Sequence, residues 1–473
     1  MTISTQVAVL GAGPGGYTAA FAAADHGLEV TLIDLEPNPG GTCLYRGCIP
    51  SKALLHAARV LTEAEEAKHF GIHFAAPRID LGRLRKATGE VVDKLTGGLG
   101  QLSKARKINF IQGRGSFEDS NTLRVHKVDG TEVEVKFQHC IVAAGSRPST
   151  LPKLDIESPR VMNSTDALEL ENIPKTLLVI GGGYIGLEMA TVYAGLGSAV
   201  TIVEFFPTLL PGADPDLVKP LAASMATRCR AIHLGTEVVG MATAKNGIKV
   251  TLKGKDIEKP EQTFEKVLVC VGRKPNSSGL GLGHTGVKID ERGFVQVDSQ
   301  MRTADPAIFA IGDLVGQPML AHKASHEGRV AAEVIAGKNV VFDPKAIPAV
   351  VFTDPELAWC GLTETDAKKQ GIPVEIARMS WAGLSRATTL NRNDGLTKIL
   401  TDPETGRILG IGVVGAGAGE LIAEGALAME MGALASDLHL TIHPHPTLSE
   451  SIMETAELIY GSSTHMVRPK KKA

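Results

Sequence analysis

Residues 6–34 read QVAVLGAGPGGYTAAFAAADHGLEVTLID, and residues 177–204 repeat the plan as LLVIGGGYIGLEMATVYAGLGSAVTIVE. Each copy passes from an apolar strand through a glycine turn into a helix, then into a second apolar strand closed by an acid, Asp34 or Glu204. In a G-x-G-x-x-G turn the first glycine permits the bend and the second lets backbone approach a pyrophosphate. The third lets helix pack on strand, while the helix N-terminus offers N–H groups and its dipole to the anion. Those positions are Gly11, Gly13 and Gly16, then Gly181, Gly183 and Gly186. The hexapeptide alone is weak evidence; a strand before it, a helix after it and an acid at the right distance strengthen it. A carboxylate there accepts hydrogen bonds from both ribose hydroxyls and repels a 2′-phosphate, although a strand-end acid can also simply face water. Glu204 is followed by Phe205 and Phe206 with no arginine close by, which favours NAD over NADP. Two such units imply two doubly wound modules and two dinucleotides. The economical pair is a resident FAD and an exchanging nicotinamide, because a flavin holds electrons between two half-reactions.

The rest of the chain fits that frame. A length of 473 residues exceeds one core, so several domains are expected. Helices near 50–106 and a β-rich stretch over 108–137 interrupt the first module, which resumes with HCIVAAGSRP. The changes of character fall near 150, 276 and 346. A central segment (277–346) holds IFAIGDLVG, a buried strand running into a Gly-Asp corner. The closing part (347–473) alternates strands (IPAVVF, TKILTD, RILGIGVVG) with helices such as 419–432, an α+β pattern suited to a subunit interface. A net charge of −3 argues against nucleic acid, and Lys470 to Lys472 read as a frayed terminus. No run of eighteen apolar residues occurs, so no membrane span is expected. The N-terminus enters a strand without signal or transit features, which points to a cytoplasmic, reducing compartment.

Against that background GGTCLYRGCIPSK, residues 40–52, sets two cysteines five apart. Cys140, Cys229, Cys270 and Cys360 are scattered singly and read as small core residues. A metal clip lacks further ligands nearby, and no metal site is expected. The segment after Cys43 reads as helix, where residues five apart lie about 8–9 Å from one another. A disulfide wants Cα atoms within roughly 7 Å. Bridging therefore needs a distorted first turn, which Gly47 and Pro50 would provide. Awkward local geometry at a helix start suits a cycling redox couple, but spacing alone leaves a structural staple standing.

The motifs together resemble the flavin-dependent pyridine nucleotide-disulfide oxidoreductases. GGTCLYRGCIPSK is similar to their active-site segment, IFAIGD to their second FAD motif and HPHPTLSE (443–450) to their C-terminal catalytic motif. LTGGLG, IVAAGSRP, STDALEL, GGGYIGLE, IFAIGDLVGQPMLAHKA and LTIHPHPTLSE extend the resemblance essentially end to end. It implies an FAD-binding domain over 1–150, an NAD-binding domain over 151–276, a central domain over 277–346 completing the FAD site and a dimerisation domain over 347–473. It further implies one non-covalent FAD per subunit, NAD⁺/NADH as exchanging cosubstrate, and a homodimer. The closest branch oxidises protein-bound dihydrolipoamide. Its expected partners are the lipoyl domains and acyltransferase core of 2-oxo acid dehydrogenase complexes, or the lipoyl carrier of glycine cleavage.

Carried over residue by residue, Cys43 is the interchange thiol and Cys48 the thiol against the flavin. Lys52 and Glu188 form an ion pair beside the flavin's reactive nitrogen. Gly145, Gly312 and Asp313 bind the flavin chain, and Met319, Leu320, Ala321 and His322 line its ring. Gly272 and Arg273 lie along the NAD site. His445 and Glu450 have a chemical rationale as well. Thiolate is the attacking species, so a dithiol needs a base titrating near neutrality, and a carboxylate on the far ring nitrogen fixes its tautomer. His443 is the alternative base, but the family pattern places the base directly before Pro446. The resemblance puts His445 of one subunit at the neighbour's cysteines. Rival readings are a glutathione or mercuric reductase, disfavoured because no cysteine follows Cys360 and no arginine stands close after Glu204, and a non-catalytic flavoprotein scaffold.

Overall fold

The computed structural model describes residues 2–154, 156–461 and 463–466; the basic run Lys470 to Lys472 lies outside them. Strand β1 (Thr2–Leu10) leads through the first glycine turn into α1 (Pro14–Asp25) and β2 (Val30–Asp34). Pro14, pre-set for helix, opens α1. The buried face of α1 is Gly15, Gly16, Ala19, Ala20 and Ala23, small enough for close packing. Helices α2 (Gly41–Arg46), α3 (Cys48–Glu66) and α4 (Leu81–Ala105) follow, the last capped by Asp80 accepting from Arg83 N at 2.9 Å.

The β-rich stretch is β3 (Asn109–Asp119), β4 (Thr122–Lys127) and β5 (Glu132–Val142), and it is no separate insertion. The first residues of β3 pair in parallel with β2, and the remainder turns antiparallel to β4. Strand β5 pairs in parallel with β1 along its length, from Thr2↔Glu134 to Leu10↔Val142. One long sheet therefore serves both the nucleotide module and the interrupting segment. Strand length is the reason: eleven-residue β3 and β5 each extend beyond the module.

The chain crosses to the second module at β6 (Ser146–Pro148). There β7 (Val161–Met162) precedes α5 (Ser164–Leu168), whose Asn163 and Asp166 form a reciprocal cap. Next come β8 (Thr176–Ile180), α6 (Tyr184–Gly195), β9 (Ala199–Val203), α7 (Pro215–Arg228) and β10 (Ala231–His233). After the antiparallel meander β11 (Glu237–Ala244), β12 (Gly247–Lys253) and β13 (Glu261–Phe264) comes β14 (Lys266–Val269). The parallel sheet has the order β10-β9-β8-β14-β7. The chain returns through β15 (Arg273–Pro275), which pairs antiparallel with β6, so exit and re-entry lie side by side.

Strand β16 (Ile308–Ala310) joins the first sheet in parallel beside β5, and α8 (Ala321–Ile335) packs on α1. A Cβ on Gly328 of α8 would lie 2.5 Å from Gly15 O, so a larger residue has no room there. The last sheet is antiparallel, β17-β18-β21-β20-β19, built from β17 (Ala349–Val351), β18 (Glu356–Gly361), β19 (Glu375–Ser380), β20 (Leu396–Thr401) and β21 (Ile408–Gly415). Helices α9 (Glu364–Gln370), α10 (Ser385–Thr389), α11 (Ala418–Glu430), α12 (Ala435–Leu440) and α13 (Glu450–Ile459) complete that part. The architecture is two Rossmann-like α/β modules and a C-terminal α+β unit. Helix α6 binds the modules to each other: a Cβ on Gly195 would stand 2.9 Å from Ala58 Cβ of α3.

Candidate active site

At the first turn Gly11 has φ +101°, and a Cβ there would sit 2.4 Å from Ala143 O at the end of β5. A Cβ on Gly41, at the start of α2, would come within 2.4 Å of Gly13 Cα. No side chain caps α1, so its first N–H groups stay available to an anion. Asp34 is fixed beside this turn: Oδ2 accepts from Ala12 N at 2.6 Å and Oδ1 from Glu36 N at 2.9 Å. Burial pushes its carboxyl up, and the backbone N–H groups of Ala12 and Leu35, with the charge of Arg46, oppose that shift.

A cavity of about 580 Å³ opens from this turn, within the range of roughly 300–1,000 Å³ common for ligand sites. Gly11, Gly13, Gly16, Asp34, Cys43, Cys48, Lys52, Gly145, Glu188, Arg273, Gly312, Asp313, Met319 and Ala321 line it. Two sequence-derived candidates for the ring, Leu320 and His322, are not in the lining; His322 Nε2 turns instead to Pro348 O at 2.7 Å. Arg273, expected along the NAD site, is carried to the large cavity by the β6–β15 pairing. There it donates to Ser146 Oγ and Ser146 O, both at 2.7 Å, and Ser146 Oγ donates to Asp313. Glu327 accepts from Gly312 N at 2.7 Å while its other oxygen meets Lys323 Nζ at 2.6 Å. Sequence reasoning missed Ser146, Lys323 and Glu327. The signal for the last two was a Lys and a Glu four apart in a small-residue helix.

The second turn repeats the backbone. Gly181 has φ +111°, with Cys270 O 2.2 Å from a would-be Cβ, and a Cβ on Gly186 would fall 2.1 Å from Gly181 O. Gly183 is the N-cap of α6, again without a side-chain cap. Glu204 accepts from Gly182 N at 2.5 Å and from Phe206 N at 2.7 Å. Phe205 and Phe206 are exposed, their rings edge to face at 5.5 Å. Gly272 has φ +109° and its carbonyl accepts from Ser149 N at 2.9 Å. From this turn α6 runs into the large cavity, presenting Tyr184, Ile185, Glu188 and Met189 to it. The two glycine turns thus share one helix wall.

The cysteines occupy two helices, not one. Gly47 ends α2 and precedes α3, with φ −149° and ψ −117°; a Cβ there would meet Thr42 O at 2.8 Å. Cys43 and Cys48 are free thiols, half-buried and exposed respectively. Their mutual hydrogen bond separates them: it raises Cys43 and draws Cys48 down to about 7, with Lys52 lowering Cys48 further and burial and Glu188 opposing. Lys52 Nζ lies 2.8 and 3.0 Å from the Glu188 oxygens and 4.5 Å from the centre of the Phe352 ring. Glu188, buried, also accepts from Phe352 N at 3.1 Å. Burial raises the thiols of Cys140, Cys229, Cys270 and Cys360.

His445 and Glu450 meet, Nδ1 to Oε1 at 2.8 Å, while Glu450 Oε2 accepts from Thr447 N at 2.8 Å. The His445 side chain is 61% exposed, so its other nitrogen faces outward. His443 has both nitrogens engaged, at 2.7 Å from Glu424 and 2.9 Å from Thr441 O, and is almost wholly covered. His445 does not line this chain's own cysteine cavity. In the same C-terminal part Met431, Leu440 and Ile442 are exposed, the last 95% exposed. Among the described residues one group of three acids, Asp214, Asp216 and Glu364, gathers closely enough to hold a metal. Lys398 Nζ sits among them at 2.7–2.9 Å, which makes it an ion-pair knot between α7 and the last sheet.

Comparison with known proteins agrees with this geometry. Residues 5–328 match the pyridine nucleotide-disulphide oxidoreductase family, and residues 347–456 match its dimerisation domain. The chain is 49% identical over 470 residues to a dihydrolipoyl dehydrogenase of Haemophilus influenzae, covering 99% of this chain and 98% of that protein. It is 48% identical to one of Vibrio cholerae with the same coverage. Among solved structures, LpdA from Mycobacterium tuberculosis superposes with a TM-score of 0.89 at 28% identity, covering 96% of this chain and 99% of that one.

Proposed function

The chain belongs to the pyridine nucleotide-disulphide oxidoreductase family, and we propose that within it the protein acts as a dihydrolipoamide dehydrogenase, oxidising a protein-borne dihydrolipoyl group and reducing NAD⁺. The observation that carries the reading is that Cys43 and Cys48, five residues apart, line one cavity together with the first glycine turn and the Lys52–Glu188 ion pair.

The residues present fit a flavin dinucleotide. The uncapped start of α1 suits a diphosphate, Asp34 suits a ribose, and the close approach of Gly13 and Gly41 leaves backbone where side chains would obstruct. Asp313 and Gly312 line the same cavity, held by Ser146 and Glu327. When bound, FAD supplies the two-electron relay from the dithiol to NAD⁺ that thiols alone lack. Glu204 and the second turn suit NAD⁺, its carboxylate disfavouring a 2′-phosphate.

The thiol steps belong to the chain itself. His445, oriented through Nδ1 by Glu450, takes the proton of one substrate thiol at Nε2. The resulting thiolate attacks Sγ of Cys43 in the oxidised pair, the bond to Cys48 breaks, and Cys48 leaves as the lower-pKa thiolate. The second substrate thiol then displaces Cys43, forming the cyclic disulfide of lipoamide and returning Cys43 as a thiol, consistent with its raised pKa. Two electrons and two protons leave the substrate, and the pair gains both electrons. Lys52 holds the Cys48 charge, and Glu188 holds Lys52 in place.

His445 is exposed and lies outside its own chain's cavity, which supports its acting at the cysteines of a second copy across the dimerisation domain. The divisions near 150, 276 and 346 are part of this proposal, supported at the first two by the side-by-side crossings β6 and β15. Lipoyl domains and the acyltransferase core of a 2-oxo acid dehydrogenase complex, or the lipoyl carrier of glycine cleavage, are the proposed partners, in the cytoplasm. No helix among the described residues is long and apolar enough to cross a membrane. Turnover of NADH with lipoamide, set against NADPH with glutathione disulfide, tests the substrate assignment: the first pair should be the faster, and the reverse order overturns it.

A further inference from the structure

The two residues between the redox cysteines that follow Leu44 reach away from the thiols. Tyr45 Oη donates to Asn38 O at 3.1 Å, and the Arg46 guanidinium forms an ion pair with Glu36. Both partners lie on the loop joining Asp34 to α2. That loop is tied at its start by Glu36 N donating to Asp34 at 2.9 Å and at its end by Gly40 N donating to Ala12 O at 2.8 Å. Asp34, Glu36 and Arg46 all line the large cavity. A six-residue helix such as α2 gains little hold from its own backbone hydrogen bonds, so its seat depends on packing against its neighbours and on ties such as these to the nucleotide loop. One end of the segment thus carries the chemistry, and its side chains grip the opposite, ribose end of the site.

Resting on the reading of this cavity as an FAD site, we propose that Arg46, through its ion pair with Glu36, is a positioning residue for the adenosine half of the dinucleotide, closing the Asp34 loop against the cysteine-bearing helix. The Arg46 side chain is 42% exposed and that of Glu36 21%, so the effect is modest: loss of a pair of this exposure weakens binding roughly two- to fivefold. The pair acts as a unit, because an unpaired Glu36 would leave a second negative charge beside Asp34 at the ribose end.

The test is a double-mutant cycle on FAD uptake. Apoprotein of the wild type, Arg46→Met, Glu36→Gln and the double variant is titrated with FAD by flavin fluorescence, and thermal unfolding of each apoprotein is recorded. Each single variant should bind FAD about two- to fivefold more weakly, the double variant no more weakly than the worse single, with apoprotein unfolding temperatures unchanged. Wild-type affinity in the singles, additive losses in the double, or unfolding temperatures that fall in step with affinity would each overturn the role of the pair. Wild-type protein that carries no FAD as isolated and takes none up would overturn the cofactor reading itself, a distinct result.

Discussion

The turns at residues 11–16 and 181–186 bend the backbone in nearly the same way, with φ of +101° and +111° at their first glycines, yet they sit in unlike surroundings. The first is walled in by segments from across the chain: α2 and α3 with the cysteines, Gly145, the Gly312–Asp313 corner and α8. The second is edged by exposed Phe205 and Phe206. A glycine turn therefore specifies the bend and the anion-facing helix start, while distant segments decide whether a ligand is enclosed or left at the surface. An enclosed dinucleotide suits a resident cofactor and an open site suits an exchanging one.

The largest effect should come where the enclosed site meets the thiols. Cys48→Ser should keep FAD bound yet lower lipoamide turnover by at least about a thousandfold; steady-state rates with the flavin spectrum check both halves, and undiminished turnover rules out the disulfide route. The two acids should then part company. Asp34→Ala should weaken FAD retention by about ten- to a hundredfold, whereas Glu204→Ala should raise KM for NAD⁺ by a similar factor with FAD content unchanged. If either change moves both ligands equally, the contrast between the turns fails. Glu450→Gln should lower turnover about tenfold or more while leaving both dinucleotides bound, since the His445 pair lies apart from either turn.

A smaller effect concerns pH. Cys48 in the reduced protein is lowered from 9.0 to about 7, so its thiolate is present above about 7 and is lost as pH falls through that value. Ultraviolet thiolate absorbance against pH measures the midpoint. Lys52→Met should move it up, and Glu188→Gln down, because Lys52 lowers and Glu188 raises Cys48. Shifts of the same sign in both variants would contradict the assigned causes.

Much of this was legible in local sequence. Both strand-turn-helix units, the small-residue face of α1 and the α+β character after residue 347 follow from composition and spacing, whereas the break at Gly47 was read only as a distorted turn within one helix. The merger of β3 and β5 into the first sheet was not legible, because pairing partners 78 and 132 residues apart leave no local trace. Strand β19 (EIARMS) was hidden because Glu375 and Arg378 interrupt its apolar run. Side chains were least readable. Arg273 follows a strand pairing to Ser146, Glu327 reaches Gly312 from the next helix, and Lys398 finds three acids more than thirty residues away. His443 and His445, two positions apart, were separable by motif, but only the fold shows one nitrogen of His445 left facing outward.

The central claim, that Cys43 and Cys48 carry electrons between the dithiol substrate and the flavin, has one most direct test. The FAD-loaded protein is treated anaerobically with NADH, alkylated, digested and compared by mass with untreated protein. The account predicts two newly alkylated thiols within residues 43–48 and no change at Cys140, Cys229, Cys270 or Cys360. Labelling in that segment that is indifferent to NADH would contradict it.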